Sequence, residues 1–139
     1  MICVDASLIL KWITPEEDSD SALKLYKHWQ RQKEILIAPT LLDYEVGSVL
    51  CKKVQRGLLA PHRMTPTLAF YRRIPIQLFF EPDLLEKAVA LAQAFQESTI
   101  YDCAYLALAQ MKETEYYTCD RRFFEKVTGP FPQVKYFKD

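Results

Sequence analysis

The sequence lacks the features that mark several large classes of protein. No run within its 139 residues approaches the length of a membrane span. No basic segment precedes an apolar stretch, so no signal peptide is predicted and the chain is expected in the cytoplasm, away from membranes. Charge of one sign is not in excess, since eighteen Lys and Arg balance eighteen Asp and Glu. That balance argues against a general nucleic-acid-coating protein, but not against a local basic rim around an acidic site. There is no internal repeat, low-complexity segment or linker, so one domain over residues 1–139 is expected. None of the four cysteines, Cys3, Cys51, Cys103 and Cys119, pair as C-x-x-C. A chain of this length, half of it hydrophobic, needs no disulfide staples. Cys3, Cys103 and Cys119 lie close to carboxylates, which leaves a three-thiol zinc site as one reading. The plainer reading is small buried hydrophobes at strand ends. The two histidines, His28 and His62, fall in or beside expected surface helices and carry no assigned role.

What is present is organised around the first ten residues. Met1-Ile2-Cys3-Val4 is apolar and β-prone, and it ends at Asp5. Such a run reads as a central strand buried on both faces. In an open parallel α/β sheet, ligands sit outside the carboxyl ends of the strands, at a topological switch point. Further strands are expected at 34–38, at 74–79 as an edge strand because of Pro75, at 115–118 and at 134–137. Helical spacing predicts helices over 6–13, to about Gln32, over 41–56 behind a Thr40 cap and ending at Arg56-Gly57, over 61–73, over 82–95, and over 100–111 behind a Ser98-Thr99 cap. A short basic helix follows Asp120. The alternation predicts an α/β fold with a mainly parallel sheet.

Four carboxylates stand out. Asp5 and Asp120 close predicted strands, and Asp102 lies in the first turn of its helix. Glu45 falls on the apolar stripe of Leu41, Leu42 and Val49, where a carboxylate must be paired, hydrogen-bonded, protonated or turned toward a cation. Each has a structural alternative. Asp5 and Asp120 are good helix caps, and Thr99-x-x-Asp102 matches a capping box. Asp120 also has Arg121 and Arg122 as neighbours to pair with. Caps alone do not explain an acid in an apolar stripe together with two acids at strand exits. A group of Asp and Glu without His or Cys ligand motifs suits a hard divalent ion, Mg²⁺ or Mn²⁺, and such a site suits phosphoryl chemistry.

These residues also carry a resemblance. Ile2-Cys3-Val4-Asp5-Ala6-Ser7, Tyr44-Glu45, Tyr101-Asp102-Cys103-Ala104-Tyr105-Leu106-Ala107-Leu108-Ala109 and Tyr117-Thr118-Cys119-Asp120 resemble, in order, the motifs of PIN domains. The chain is most similar to the VapC-type toxin ribonucleases. The resemblance implies a PIN-like three-layer sandwich, five parallel strands with helices on both faces. It implies that Asp5, Glu45, Asp102 and Asp120 bind Mg²⁺ or Mn²⁺ and hydrolyse single-stranded RNA through metal-bound water. It implies supporting hydroxyls from Ser7 and Thr118, a cognate antitoxin partner and a homodimer. Lys11, Arg121 and Arg122 lie at the expected site edge and are candidates for holding RNA phosphates, with a solvated charged surface as the alternative. Two other functions compete: a PIN-like module that holds RNA or protein without cutting, and a receiver-like signalling domain. The latter calls for an early acidic pair and a lysine after a late strand, and neither is present.

Overall fold

In the computed structural model, which describes residues 1–138, the opening apolar run forms strand β1 (Ile2–Val4). All three of its residues are buried. It pairs in parallel with β2 (Leu36–Pro39) on one side and β4 (Glu115–Thr118) on the other. Strands β3 (Ile76–Phe79) and β5 (Val134–Tyr136) extend the sheet outward from β2 and β4, again in parallel. The order is β3-β2-β1-β4-β5, which places the chain reversal at β1. The crevice outside the carboxyl ends of β1 and β4 is therefore the switch point. The PIN-like α/β fold expected from the sequence is present.

The sheet carries α1 (Ala6–Ile13), α2 (Ser19–Arg31), α3 (Leu41–Gln55), α4 (Met64–Arg73), α5 (Leu84–Ala94), α6 (Tyr101–Met111) and α7 (Arg121–Val127). Strand β2 is buried throughout, as is β1, because helices cover both faces of the sheet centre. Element boundaries differ from the sequence reading by a few residues. Pro61–Arg63 forms a separate 3₁₀ turn before α4, and β3 starts after Pro75. Two expected caps are corrected. Thr40 precedes α3 in helical geometry and makes no capping hydrogen bond. The cap position of α6 is Ile100, with no side-chain cap, so Thr99 and Asp102 do not form a capping box.

Helix α1 is held by its aromatic end. Trp12 is 4% exposed, and its indole N–H donates to the Ala22 carbonyl at 2.9 Å. Its ring lies 4.7 Å from Tyr26 and 6.2 Å, edge-on, from Trp29. Burying one such large side chain contributes about 1.5–3 kcal/mol, and it fixes the helix whose first turn carries Asp5 and Ser7.

Helix α3 ends by the predicted route. Gly57 has φ of +72°, its N–H meets the Val54 carbonyl, and the Leu58 N–H meets the Lys53 carbonyl. This is a Schellman close around a left-handed residue. A methyl group at Gly57 would meet nothing within 4 Å, so Gly57→Ala tests conformation alone. It is expected to destabilise the fold by about 1 kcal/mol, read as a lower urea midpoint at unchanged slope.

Candidate active site

Asp5 directly follows β1, at the cap position of α1, and is only 3% exposed. Its Oδ1 accepts from the Ser7 hydroxyl at 2.5 Å and from the Leu8 N–H at 3.3 Å. Its Oδ2 accepts from the Tyr116 phenol at 2.8 Å, and the Thr118 hydroxyl also bonds the carboxylate. So Asp5 is a helix cap, as its plain alternative held, and also the most heavily bonded acid at the switch point. Burial raises its pKa, while the four donors oppose that rise. Ser7 ties the strand ends together, since its oxygen accepts from the Cys119 N–H at 2.9 Å.

Glu45 on α3 is half-buried, as the apolar stripe predicted. Its carboxylate accepts from the Tyr105 phenol at 2.7 Å. Tyr105 and Tyr116 stack with their centroids 5.9 Å apart and planes 14° off parallel. Two buried, stacked rings thus deliver one phenol each, to Glu45 and to Asp5. Sequence reasoning missed both hydroxyls because a tyrosine in an apolar run reads as core. The β1–β4 register, with Cys3 opposite Tyr116, is what brings Tyr116 under Asp5.

Asp120 follows β4 and caps α7, accepting from the Phe123 N–H at 2.9 Å. The Thr118 hydroxyl, fully buried, accepts from the Asp120 N–H at 3.0 Å. Ser7 and Thr118 therefore act by fixing the two strand-exit aspartates.

Asp102, in the first turn of α6, is the partly buried acid on which the charges of the others converge. Its pKa is pushed up to about 7, by burial first and then by the charges of Asp5, Asp120, Glu45 and Glu97. Among the described residues, no hydrogen bond to its carboxylate stands beside these causes. Each of the other three candidate acids acts on it, so the four share one electrostatic site. Glu97 was not anticipated. It stands where α5 closes over Gln96, at φ of +55°, with the Glu97 N–H on the Ala92 carbonyl. It pairs with Arg122 at 3.1 Å and Lys126 at 3.7 Å. A loop acid without periodicity gave no sequence signal.

The three predicted RNA-contacting cations all have protein partners. Lys11 lies 3.8 Å from Glu16 and 3.7 Å from Asp18, and Arg121 pairs with Glu125 one turn along α7. Arg122 is engaged by Glu97 through both terminal nitrogens. The thiols are chemically quiet. Burial raises Cys3 well above its usual value, Cys103 to about 11 and Cys119 to about 12, so all three hold their protons near neutrality. Protonated thiols are poor nucleophiles and poor zinc ligands.

The carboxylate set fits a hard divalent cation by donor type, and a cation would relieve the like-charge repulsion that adds to burial at Asp102. Among the described residues no three His, Cys, Asp or Glu side chains stand together as a ready-made ligand group. Asp5 instead turns its oxygens to protein donors.

A model of the PIN domain matches residues 2–129. The chain is 33% identical over 129 residues to Ribonuclease VapC3 of Pyrobaculum aerophilum, covering 90% of this chain and 93% of that one. Among solved structures, a toxin–antitoxin complex from Klebsiella pneumoniae superposes with a TM-score of 0.67 at 18% identity, over 97% of this chain and 96% of that one. Mycobacterium tuberculosis VapC20, a sarcin-ricin loop cleaving toxin, gives 0.66 at 16% identity, over 90% and 94%. With the motifs in order, the sheet order that sets Asp5 beside Asp120, and this match along nearly its whole length, the chain belongs to the PIN domain family and is similar to its VapC-type ribonucleases.

Proposed function

We propose that the protein is a metal-dependent endoribonuclease that hydrolyses single-stranded RNA, and that it is the toxin of a toxin–antitoxin pair. The observation that carries this reading is the gathering of Asp5, Glu45, Asp102 and Asp120 at the switch point, where Asp102 feels the charge of the other three in addition to its burial. The similarity to Ribonuclease VapC3 supports the reaction class. The likeness to a toxin–antitoxin complex supports a cognate antitoxin protein as partner. We take the whole of 1–139 as one PIN-like domain that acts in the cytoplasm as a homodimer.

Asp5, Glu45, Asp102 and Asp120 are the residues proposed to hold Mg²⁺ or Mn²⁺. The ion would neutralise the cluster and supply a Lewis acid and an activated water for phosphodiester hydrolysis. The chain's own part is to fix the acids. Ser7, Thr118 and Tyr116 hold Asp5, Tyr105 holds Glu45, and the start of α7 holds Asp120. Among the described residues Asp102 has no such tether, so it is the acid proposed to turn toward a cation. Of the Asp5 bonds given above, that from the Leu8 N–H at 3.3 Å is the longest, so it is the donor that a bound cation would most readily replace.

The test is to treat total cellular RNA with the protein and map new 5′ ends by sequencing. Mapping total RNA avoids guessing a target. The expected result is discrete new ends with Mn²⁺ or Mg²⁺, none with EDTA, and none from Glu45→Gln. Ends that persist in EDTA would refute metal dependence. No new ends under any condition would favour the non-cleaving RNA- or protein-binding module.

A further inference from the structure

Two clefts open beside the acids and meet at α3. One, of about 440 Å³, reaches Asp5 through Ser7 and is lined by Lys11, Lys53 and Arg56. The other, of about 370 Å³, is lined by Glu45 together with Tyr44 and Tyr101. Val49 and Lys52 line both, so the two form one surface that passes from a basic end to an aromatic end.

The charges in the basic cleft are unevenly used. Lys52 and Arg56 are exposed and have no ion pair among the described residues. Lys53 and Lys11 share one half-buried acid, Glu16, at 3.3 and 3.8 Å, and Lys11 also lies 3.7 Å from Asp18. Glu16 is thus an internal counter-ion in a cleft built of cations. In the aromatic cleft, Tyr44 is 78% and Tyr101 53% exposed. Each ring precedes an acid of the site, Glu45 or Asp102, on the same helical turn. Folding gains little from rings left in water, whereas every nucleobase has a face that stacks on one.

Resting on the nuclease reading above, we propose that single-stranded RNA lies across both clefts. Lys52 and Arg56 bind its phosphates, and Tyr44 and Tyr101 stack its bases on either side of the acids. Glu16 occupies Lys53, and together with Asp18 it occupies Lys11, until a phosphate displaces it, so it restrains binding. Lys52 and Lys53 also complement the carboxyl end of α3, as any basic last turn does. The concave wall shared with Ser7 and Glu45 is what a mere dipole partner would not need. An acidic protein segment is the competing occupant, and it gains nothing from stacking on the two rings.

Binding of a short fluorescein-labelled oligoadenylate in Mg²⁺ is followed by anisotropy across a salt series, with its integrity checked on a gel. Lys52→Gln/Arg56→Gln is expected to weaken binding about 10- to 30-fold at about 0.1 M salt. Its log affinity against log salt becomes shallower by about 1.4, two contacts at about 0.7 each. Glu16→Gln tightens binding about fivefold by the same slope. Tyr44→Ala/Tyr101→Ala weakens it at every salt concentration with the slope unchanged. A matched control on α2, Lys24→Gln/Lys27→Gln, leaves affinity and slope as they were. The proposal is overturned if the cleft pair behaves like wild type, or if the control loses as much as the pair. It is also overturned if the pair loses only poly-glutamate binding, which would make the cleft a protein dock. Wild type that binds no RNA overturns it too, and the 5′-end mapping then decides separately whether the nuclease reading survives.

Discussion

Asp102→Asn is expected to melt higher than wild type in metal-free buffer at pH 8, by about 2–4 kcal/mol or on the order of 10 °C. The folded carboxyl is raised to about 7, against about 3.9 in an unfolded chain. Between these values the folded state keeps a proton that the unfolded state has lost, so wild-type stability falls as pH rises. Above about pH 7 both states are ionised and the full penalty remains. Below about pH 4 both are protonated and the advantage of the Asn variant vanishes. Asn carries no charge against Asp5, Asp120, Glu45 and Glu97, so its stability curve lacks this slope. Thermal melts in EDTA from pH 4 to 8 check the prediction. An Asp102 that merely complemented the first turn of α6 would give the opposite sign, a loss of about 0.3–1 kcal/mol on substitution. The same variant is expected to cleave RNA at least about a hundredfold more slowly, since it removes one of the four carboxylates proposed to hold the ion.

Tyr116→Phe is expected to cost about 1–3 kcal/mol near neutral pH. The phenol is fully buried and donates to Asp5 Oδ2 at 2.8 Å. Phe keeps the ring stack on Tyr105 and removes the donor alone, which leaves a buried carboxylate short of one bond. That loss raises the Asp5 pKa beyond its already raised value. The penalty is therefore present where Asp5 is ionised and fades as pH falls through its folded pKa. Urea midpoints at pH 8 and pH 4 should show the difference between variant and wild type shrinking in acid. A pH-independent loss would mean that the hydroxyl stabilises only by packing.

How much of this was legible in the sequence depended on whether a signal was local. The strand that ends at Asp5 and the acid in the apolar stripe at Glu45 could be read directly, because periodicity fixes which face a residue takes. Asp102 was ambiguous, since Thr99-x-x-Asp102 has the spacing of a capping box. Only the actual start of α6, with Ile100 at the cap position, removes that alternative. The phenols of Tyr105 and Tyr116 could not be read, because their partners lie 60 and 111 residues away and depend on which strands flank β1. The same holds for Glu97, which the closing turn of α5 places beside Asp102, and for the clefts that join at Lys52. The acids announced a site, while the groups that hold them are products of the sheet order.

The central claim is that these four carboxylates form a cation site, and Mn²⁺ titrated against thermal stability tests it most directly. Wild type should gain about 2.7 kcal/mol once the ion reaches a hundred times its dissociation constant, the mass-action gain of a ligand that binds the folded acids around Asp102. Asp102→Asn should start higher and gain much less. Equal gains for both proteins, or no gain for either, would contradict the account.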